Sequence, residues 1–120
     1  MRMAPLRDRT KQFAMRVVRL FAALPKTTLA QTLGKQALRS GTSVAANFRE
    51  ASRARSHAEF VAKLGIVEQE LDETLLWLEI LVESNVVGAA KLSALQKEAD
   101  ELLRIVVTTI QRTRAKATAS

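Results

Sequence analysis

Apolar residues recur at alternating intervals of four and three over residues 60–81, and this spacing constrains the fold more than any other feature of the chain. Positions spaced in this way lie on one face of an α-helix, and the pattern is a seven-residue repeat. Its members are Phe60, Leu64, Val67, Leu71, Thr74, Leu78 and Leu81. Further apolar residues such as Ile66 and Leu76 widen the stripe, which predicts a helix covered on more than one side.

The same periodicity predicts four helices, over about 8–24, 28–54, 57–84 and 90–114, followed by a frayed tail at 115–120. Asp8 is a predicted N-cap, Pro25 ends the first helix, and Ser56 with Glu59 forms a capping box that begins the third. Short connections make neighbouring helices antiparallel. We therefore predict an all-α fold with one domain over 1–120, an antiparallel up-down-up-down four-helix bundle. A break in the second helix near Gly41 is the alternative to a continuous helix.

The composition argues against several kinds of site. The 120 residues include no Cys and one His, which excludes thiol chemistry and leaves no histidine cluster for a transition metal. Glu59, Glu70 and Glu73 lack the histidine partners found in di-metal bundles. His57 follows a capping serine and has no nucleophile to activate. We predict no metal, no cofactor and no enzymatic activity.

Neither end of the sequence predicts a membrane protein. The N-terminal segment lacks the apolar run of a secretory signal. No stretch approaches the ~18 uncharged apolar residues of a transmembrane helix. We expect a cytoplasmic protein that does not bind membranes.

Charge is distributed unevenly along the chain. Residues 1–55 carry twelve Lys and Arg against two acids, residues 56–101 carry ten acids against three Lys, and residues 102–120 add four basic residues. In the predicted topology the first helix starts, and the second and fourth helices end, at the same end of the bundle. That end would bind the phosphate backbone of RNA or DNA with little sequence preference. The candidate nucleic-acid-binding residues are Arg7, Arg9, Lys11, Arg49, Arg53, Arg55, Arg112, Arg114 and Lys116.

Two further features bear on this interpretation. No aromatic residue lies among the candidate basic residues in the sequence, so base stacking is not expected. The alternative to nucleic-acid binding is a purely structural bundle that assembles with itself. In that case the basic segments pair with the acidic third helix of another subunit.

A set of polar residues on the second and third helices is predicted to form a buried layer. The set is Arg39, Ser43, Asn47, Glu50, Glu70 and Glu73. The first four are spaced by four, four and three, which places them on one side of a helix, and the two glutamates can neutralise an arginine there. We favour a hydrogen-bonded layer that sets helix register or a subunit contact over a ligand pocket. Phe48, Phe60 and Trp77 are predicted interface residues.

Residues 39–81 resemble a known family. The matching residues are Arg39-Ser40-x-Thr42-Ser43-Val44-Ala45-Ala46-Asn47-x-x-Glu50-Ala51, then Ser56-x-x-Glu59-Phe60-x-x-Lys63-Leu64, then Glu70-x-x-Glu73-Thr74-x-x-Trp77-Leu78. This pattern resembles the four-helix-bundle proteins encoded by 23S rRNA intervening sequences. The resemblance implies a small antiparallel bundle that forms a homo-oligomeric ring, with a pentamer as the expected form. It implies a largely unassigned role as a scaffold or accessory protein, with nucleic-acid binding known among distant relatives that serve a reverse transcriptase.

Overall fold

Four α-helices account for nearly all of the structure. The computed structural model describes the backbone of residues 3–119 and the side chains of residues 5–118. The helices are α1 (Met3–Ala23), α2 (Thr28–Ala51), α3 (His57–Glu83) and α4 (Ala89–Ala119). Within the described backbone there is no strand. The molecule is a rod with principal extents of 53 × 20 × 20 Å, which confirms the predicted all-α helical bundle.

Contacts between successive helices run in opposite directions. A Cβ added to Gly34 would meet Leu24, which directly follows α1. A Cβ added to Gly41, later in α2, would meet Val17, which lies earlier in α1. From α2 to α3, Ser40 contacts Thr74 and Glu50 contacts Lys63. Helices α3 and α4 pack against each other and are joined by residues 84–88, a connection short enough to require that they run in opposite directions. Each pair is therefore antiparallel. Among the neighbouring pairs, α1 and α4 touch least.

The helix boundaries follow local capping chemistry except where tertiary packing overrides it. Thr27 caps α2 by accepting from the Ala30 N–H at 3.2 Å. Ser56 caps α3 by accepting from the Glu59 N–H at 3.0 Å. The Glu59 carboxylate reaches back to the Arg55 N–H, also at 3.0 Å, one residue before the predicted position. The structure thus contains the capping box predicted from Ser56 and Glu59.

Helix α1 begins five residues before the predicted N-cap. Asp8 lies inside the helix and is exposed. Pro5 does not stop the helix because the first-turn N–H groups have no intrahelical acceptor to lose. Leu6 is 8 % exposed and packs in the core, so burial favours ordering this first turn.

Two other segments differ from the predicted bounds. Helix α2 ends at Ala51 rather than near residue 54, and 3₁₀-type bonds close its last turn, including the Arg53 N–H to Glu50 C=O bond of 3.1 Å. Helix α4 continues through Ala119, although a frayed tail was predicted at 115–120. Its last turns are rich in Ala, Arg and Lys, which are strong helix formers, and contain neither Gly nor Pro. Ser120 lies outside the described residues.

Helix α2 is continuous across Gly41, so the alternative of a break is not observed. Both interior glycines of α2 are buried where α1 passes close to the α2 backbone. Added methyl groups would meet Leu24 and Phe21 at Gly34, and Val17 at Gly41. The close approach compensates for the low helix propensity of glycine.

The core is aliphatic, and the predicted repeat of α3 faces it. Leu64, Val67, Leu71, Leu78 and Leu81 are at most 1 % exposed. The flanking apolar residues of α3 are not covered within the chain, since Ile66 is 37 % and Leu76 47 % exposed. The widened apolar stripe predicted that α3 is covered on more than one side, but the other helices of this chain leave these flanking residues exposed.

Candidate nucleic-acid interface

The antiparallel packing brings the start of α1, the end of α2, the start of α3 and the end of α4 to one end of the rod. We call this the basic end; it carries the candidate residues Arg7, Arg9, Lys11, Arg49, Arg53, Arg55, Arg112, Arg114 and Lys116. Arg2, which belongs to the same basic segment of the sequence, lies outside the described residues. Apart from Arg9, which is paired with α4, the candidate residues lie in three sites with different surroundings.

The first site is a groove between α1 and α2, called here the α1–α2 groove. It has a volume of about 490 Å³. Its lining residues are Lys11, Ala14, Thr42, Ala45, Ala46, Arg49, Glu50 and Arg53. Small side chains form the floor, so the long basic side chains lie beside open space rather than over a bulky surface. Arg7 lies one turn before Lys11 on α1 and is exposed.

The basic side chains of this groove have no acidic partner within the described residues. The sole carboxylate in the lining is Glu50, and its Oε1 lies 2.7 Å from Lys63 Nζ on α3. This hydrogen bond raises the pKa of Lys63. Lys11, Arg49 and Arg53 have no carboxylate within 4.0 Å among residues 5–118. Three cations beside a groove with a floor of small side chains are therefore available to an external anion.

Arg9 differs from the other candidate residues because it is held by α4. Its Nε and Nη2 donate to the two carboxylate oxygens of Glu98, both at 2.8 Å, and Nη2 also lies 3.0 Å from Glu101. The hydrogen bond to Glu98 is the main reason that the pKa of Arg9 is raised. Arg9 is a predicted nucleic-acid-binding residue, but its guanidinium is already paired with two carboxylates of α4. Its partner is 89 residues away, and no local pattern indicated that pairing.

The Arg9–Glu98 pair links α1 to α4, the two neighbouring helices that touch least. Arg9 lowers the pKa of Glu98 by hydrogen bonding, against the opposing effect of burial, and Arg16 contributes in the same direction as Arg9. The Glu98 side chain is 18 % exposed and that of Arg9 33 %. A bidentate pair that is shielded to this extent stabilises the bundle more than an ordinary surface pair.

Glu98→Gln is expected to lower the free energy of unfolding at neutral pH by about 1–2 kcal/mol, a range reduced for the partial exposure of Arg9. Because the folded chain lowers the pKa of Glu98, this contribution is complete above the ordinary carboxyl pKa of about 4.3. It is lost as the pH falls through the lower folded value. Denaturant unfolding at about pH 7 and about pH 3 should show the difference between wild type and variant shrinking in acid.

Glu101→Gln is the matched control, because Glu101 shares the same arginine but its side chain is 64 % exposed. Its loss should stay below about 0.5 kcal/mol. A difference between wild type and Glu98→Gln that is unchanged by acid would contradict the assignment of Glu98 as the titrating partner.

The second site is the turn between α2 and α3. Arg55 and His57 line a shallow depression together with Phe60, whose ring is half-buried. Although no aromatic residue lies among the candidate basic residues in the sequence, the fold brings Phe60 to the same depression as Arg55. The sequence spacing could have indicated this proximity, because Arg55 directly precedes the N-cap of α3 and Phe60 lies in the first turns of that helix.

The third site is the end of α4. Arg112, Arg114 and Lys116 are exposed and have no carboxylate within 4.0 Å among the described side chains. None of them lines the α1–α2 groove. They share an end of the rod with the groove but form a separate positive surface.

The predicted polar layer of α2 and α3 is not buried within the chain. Arg39, Glu50 and Glu73 are exposed, and Ser43, Asn47 and Glu70 are half-buried. Arg39 Nη2 lies 3.4 Å from Glu73 Oε1, and Arg39 Nη1 lies 4.0 Å from Glu70 Oε2, as predicted for charge partners. The spacing placed the α2 members one residue from the buried positions, on the shoulder of the helix rather than on its core face.

The buried polar contact of this region is a different pair. Ser40 and Thr74 are fully buried, and their hydroxyl oxygens lie 2.8 Å apart across α2 and α3. Thr74 Oγ1 also lies 2.7 Å from the Glu70 carbonyl. Thr74 occupies the position in the apolar repeat of α3 that the sequence predicted for it.

The three predicted interface residues have different environments. Phe48 is 2 % exposed and belongs to the core of the chain, so it is not available for an interface. Phe60 and Trp77 are half-buried and pack against that core. Trp77 Nε1 and Glu70 Oε1 are buried atoms that make no hydrogen bond within the described residues.

The described residues contain neither a metal-binding cluster nor a membrane-spanning helix. No group of three or more His, Asp or Glu residues is arranged to hold a metal ion. None of the described helices is long and apolar enough to cross a membrane.

Comparison with known proteins identifies the family. A model of the 23S rRNA-intervening sequence proteins matches residues 6–108. A crystal structure of a protein of unknown function from the S23 ribosomal protein family of Bacteroides thetaiotaomicron superposes with a TM-score of 0.86 at 33 % sequence identity. The match covers 92 % of this chain and 99 % of that one. No curated protein matches the chain. The chain therefore belongs to the 23S rRNA-intervening sequence protein family.

Proposed function

We propose that this chain is a non-enzymatic, self-associating accessory protein that binds the phosphate backbone of nucleic acid in the α1–α2 groove. The observation that carries the proposal is a set of three cations, Lys11, Arg49 and Arg53, around a floor of small residues; none of them has a carboxylate within 4.0 Å among residues 5–118. The one acidic residue in the lining, Glu50, is neutralised by Lys63. An anion approaching the groove therefore displaces no internal ion pair of these three cations.

The chemistry of the groove favours phosphate over bases. Arginine and lysine bind phosphate oxygens through charge-assisted hydrogen bonds. The lining includes no aromatic residue to stack on a base. Binding should therefore be strongly salt-dependent and weakly dependent on sequence.

Self-association has separate support. The chain leaves Ile66 and Leu76 exposed on α3, and two buried polar atoms of Glu70 and Trp77 have no hydrogen-bonding partner within the described residues. A subunit contact would supply both cover and partners. In a ring of parallel subunits, such as the pentamer expected from the family, the basic ends would lie on one face and their charges would add.

An electrophoretic mobility assay at low and moderate salt tests the binding proposal. We expect the full chain to shift duplex DNA and RNA of unrelated sequence at low salt. The logarithm of the binding constant should fall linearly with the logarithm of salt concentration. Absence of any shift at low salt, with both nucleic acids, would overturn the proposal.

The double variant Arg49→Ala/Arg53→Ala locates the site. Removing two phosphate contacts should reduce the salt-dependence slope on duplex DNA by about two and weaken binding at low salt by at least about tenfold. Lys26→Ala/Lys35→Ala is the control, because it removes the same charge from two exposed residues that do not line the groove, one in the connection between α1 and α2 and one in the first half of α2. Equal losses in the two variants would mean that net charge, not the groove, determines binding.

A purely structural role is the second candidate, and the charge distribution on α3 favours it. Asp72, Glu79 and Glu83 are exposed and have no basic partner within 4.0 Å among residues 5–118. In this case the basic end contacts α3 of another subunit. Light scattering would then show dissociation into monomers as salt rises, and the mobility assay would show no shift.

A further inference from the structure

A cavity at the end of the rod opposite the basic end is unrelated to the α1–α2 groove. We call it the α1–α4 cavity; it lies between the last turns of α1 and the first turns of α4 and has a volume of about 580 Å³. Its size falls within the range of small-molecule sites. It shares no lining residue with the groove.

The floor of the cavity is aliphatic. Leu24, Leu92 and Leu95 are buried beneath it, and Leu20 and Val87 are half-buried at its sides. The cavity exists because α1 and α4 touch least, and the Arg9–Glu98 pair joins these helices beyond it. An apolar body placed here would cover carbon surface that the chain itself leaves in contact with water.

The wall formed by the connection between α3 and α4 has a defined backbone conformation. Asn85 adopts a φ of 61°, a left-handed conformation that asparagine tolerates better than most residues. The N–H groups of Val86 and Val87 then donate to the Leu81 carbonyl at 3.0 and 3.2 Å. This arrangement closes α3 and holds Val87 against the cavity without requiring a ligand.

The rim of the cavity is positively charged. Arg16, Arg19 and Lys91 line it, and the lining includes no carboxylate. None of the three has a carboxylate within 4.0 Å among the described side chains. Arg16 contributes to lowering the pKa of Glu98, but both oxygens of Glu98 accept from Arg9. The rim therefore complements a single anionic group.

We propose that the α1–α4 cavity binds an aliphatic carboxylate, with the carboxylate at Arg16, Arg19 and Lys91 and the alkyl chain on the leucine floor. A nucleotide fits less well, because no aromatic side chain lines the cavity and its polar side chains are all cationic. Nothing in the lining could accept a hydrogen bond from the amino group of a base through a side chain. The positive rim selects ligands that carry a negative charge, and the aliphatic floor selects among them by the length of the alkyl chain.

Calorimetric titration of the full chain with octanoate, decanoate and dodecanoate, below their micelle concentrations, tests the proposal. Affinity should rise about fourfold per methylene and level off once the cavity is full. Decanol and acetate, which lack the charge and the chain respectively, should bind at least about tenfold more weakly than decanoate. Decanol binding as tightly as decanoate would overturn the role of the rim.

A pair of surface substitutions distinguishes the cavity from nonspecific uptake by a basic protein. Ala23→Trp introduces an indole at the cavity, and Ala46→Trp introduces the same group at the α1–α2 groove; both alanines are exposed. Ala23→Trp should reduce decanoate binding at least about tenfold, whereas Ala46→Trp should leave it unchanged. Equal binding to both variants would overturn the proposal.

The charges are tested in the same way. Arg19→Ala/Lys91→Ala should weaken decanoate binding at least about tenfold. Arg49→Ala/Arg53→Ala, which removes the same charge at the other end of the rod, should not. If the two variants lose affinity equally, the interaction is with overall charge and the cavity is not the site.

Discussion

Phe48→Ala is expected to lower the free energy of unfolding by about 3–5 kcal/mol, the largest single effect we anticipate. Phe48 is 2 % exposed and lies in the continuous core of the bundle. Removing its ring leaves a cavity that the surrounding helices can fill only by shifting toward it, so lost burial and lost contacts add. Chemical denaturation of the purified variant at neutral pH measures the effect.

Phe60→Ala is the control for this prediction, since it deletes the same atoms from a half-buried ring at the start of α3. Its loss should be less than half as large, because part of the ring already contacts water. Light scattering under conditions where Phe48→Ala is folded should give the mass of wild type, as Phe48 is not accessible to another subunit. Equal destabilisation by both variants would contradict the assignment of Phe48 to the core.

Gly41→Ala is expected to destabilise the protein by about 2 kcal/mol, although alanine is the better helix former. The added Cβ would lie 2.8, 2.9 and 3.0 Å from Val17 Cγ2, Cγ1 and Cβ. Because Val17 is branched at Cβ and fully buried, it cannot rotate away. Helix α1 must move, and overpacking of this kind costs about 1–3 kcal/mol; we expect the upper part of that range. That cost exceeds the gain of about 1 kcal/mol in helix propensity.

Gly65→Ala is the matched control, because Gly65 lies inside α3 and a Cβ there would meet no atom within 4 Å. It should stabilise the protein by about 1 kcal/mol. The two substitutions therefore add the same methyl group to a helix and should change stability in opposite directions. Thermal and denaturant unfolding measure both. A stabilised Gly41→Ala would show that α1 and α2 are not packed as closely as the contact distances indicate.

The four helices could be predicted from the sequence because their signals are local. Pro25 and the Ser56–Glu59 capping box act within a few residues of themselves, and α1 ends and α3 begins near the predicted places. Prediction failed at the two chain ends. At the start of α1 the burial of Leu6 favours an additional helical turn, and no capping residue in the sequence indicates that turn. At the end of α4 a run of good helix formers continues without a stop signal.

The candidate site was predictable in part. Antiparallel topology follows from helix count and short connections, so the basic segments could be assigned to one end of the bundle from the sequence alone. The sequence could not show which cations lack an acidic partner, because Arg9 and its partner Glu98 are 89 residues apart. The same limit applies to the polar layer, where a difference of one residue in register separates the exposed Arg39 from the buried Ser40.

The apolar cavity between α1 and α4 had no signal in the sequence. Its lining residues come from the end of α1, the connection between α3 and α4, and the start of α4. Taken one at a time, each of these residues is predicted to lie either in the core or on the surface, and none indicates a cavity. The cavity arises from the distance between two helix axes, which depends on the packing of all four helices.

By itself the sequence determined the helices, their order and the segregation of charge, because periodicity, capping and composition act over a few residues. The tertiary structure alone decided which charges are neutralised, which aromatic rings are buried and where α1 and α4 separate. These properties depend on distances between residues far apart in the chain, and such distances are set by the mutual packing of the helices rather than by any local pattern.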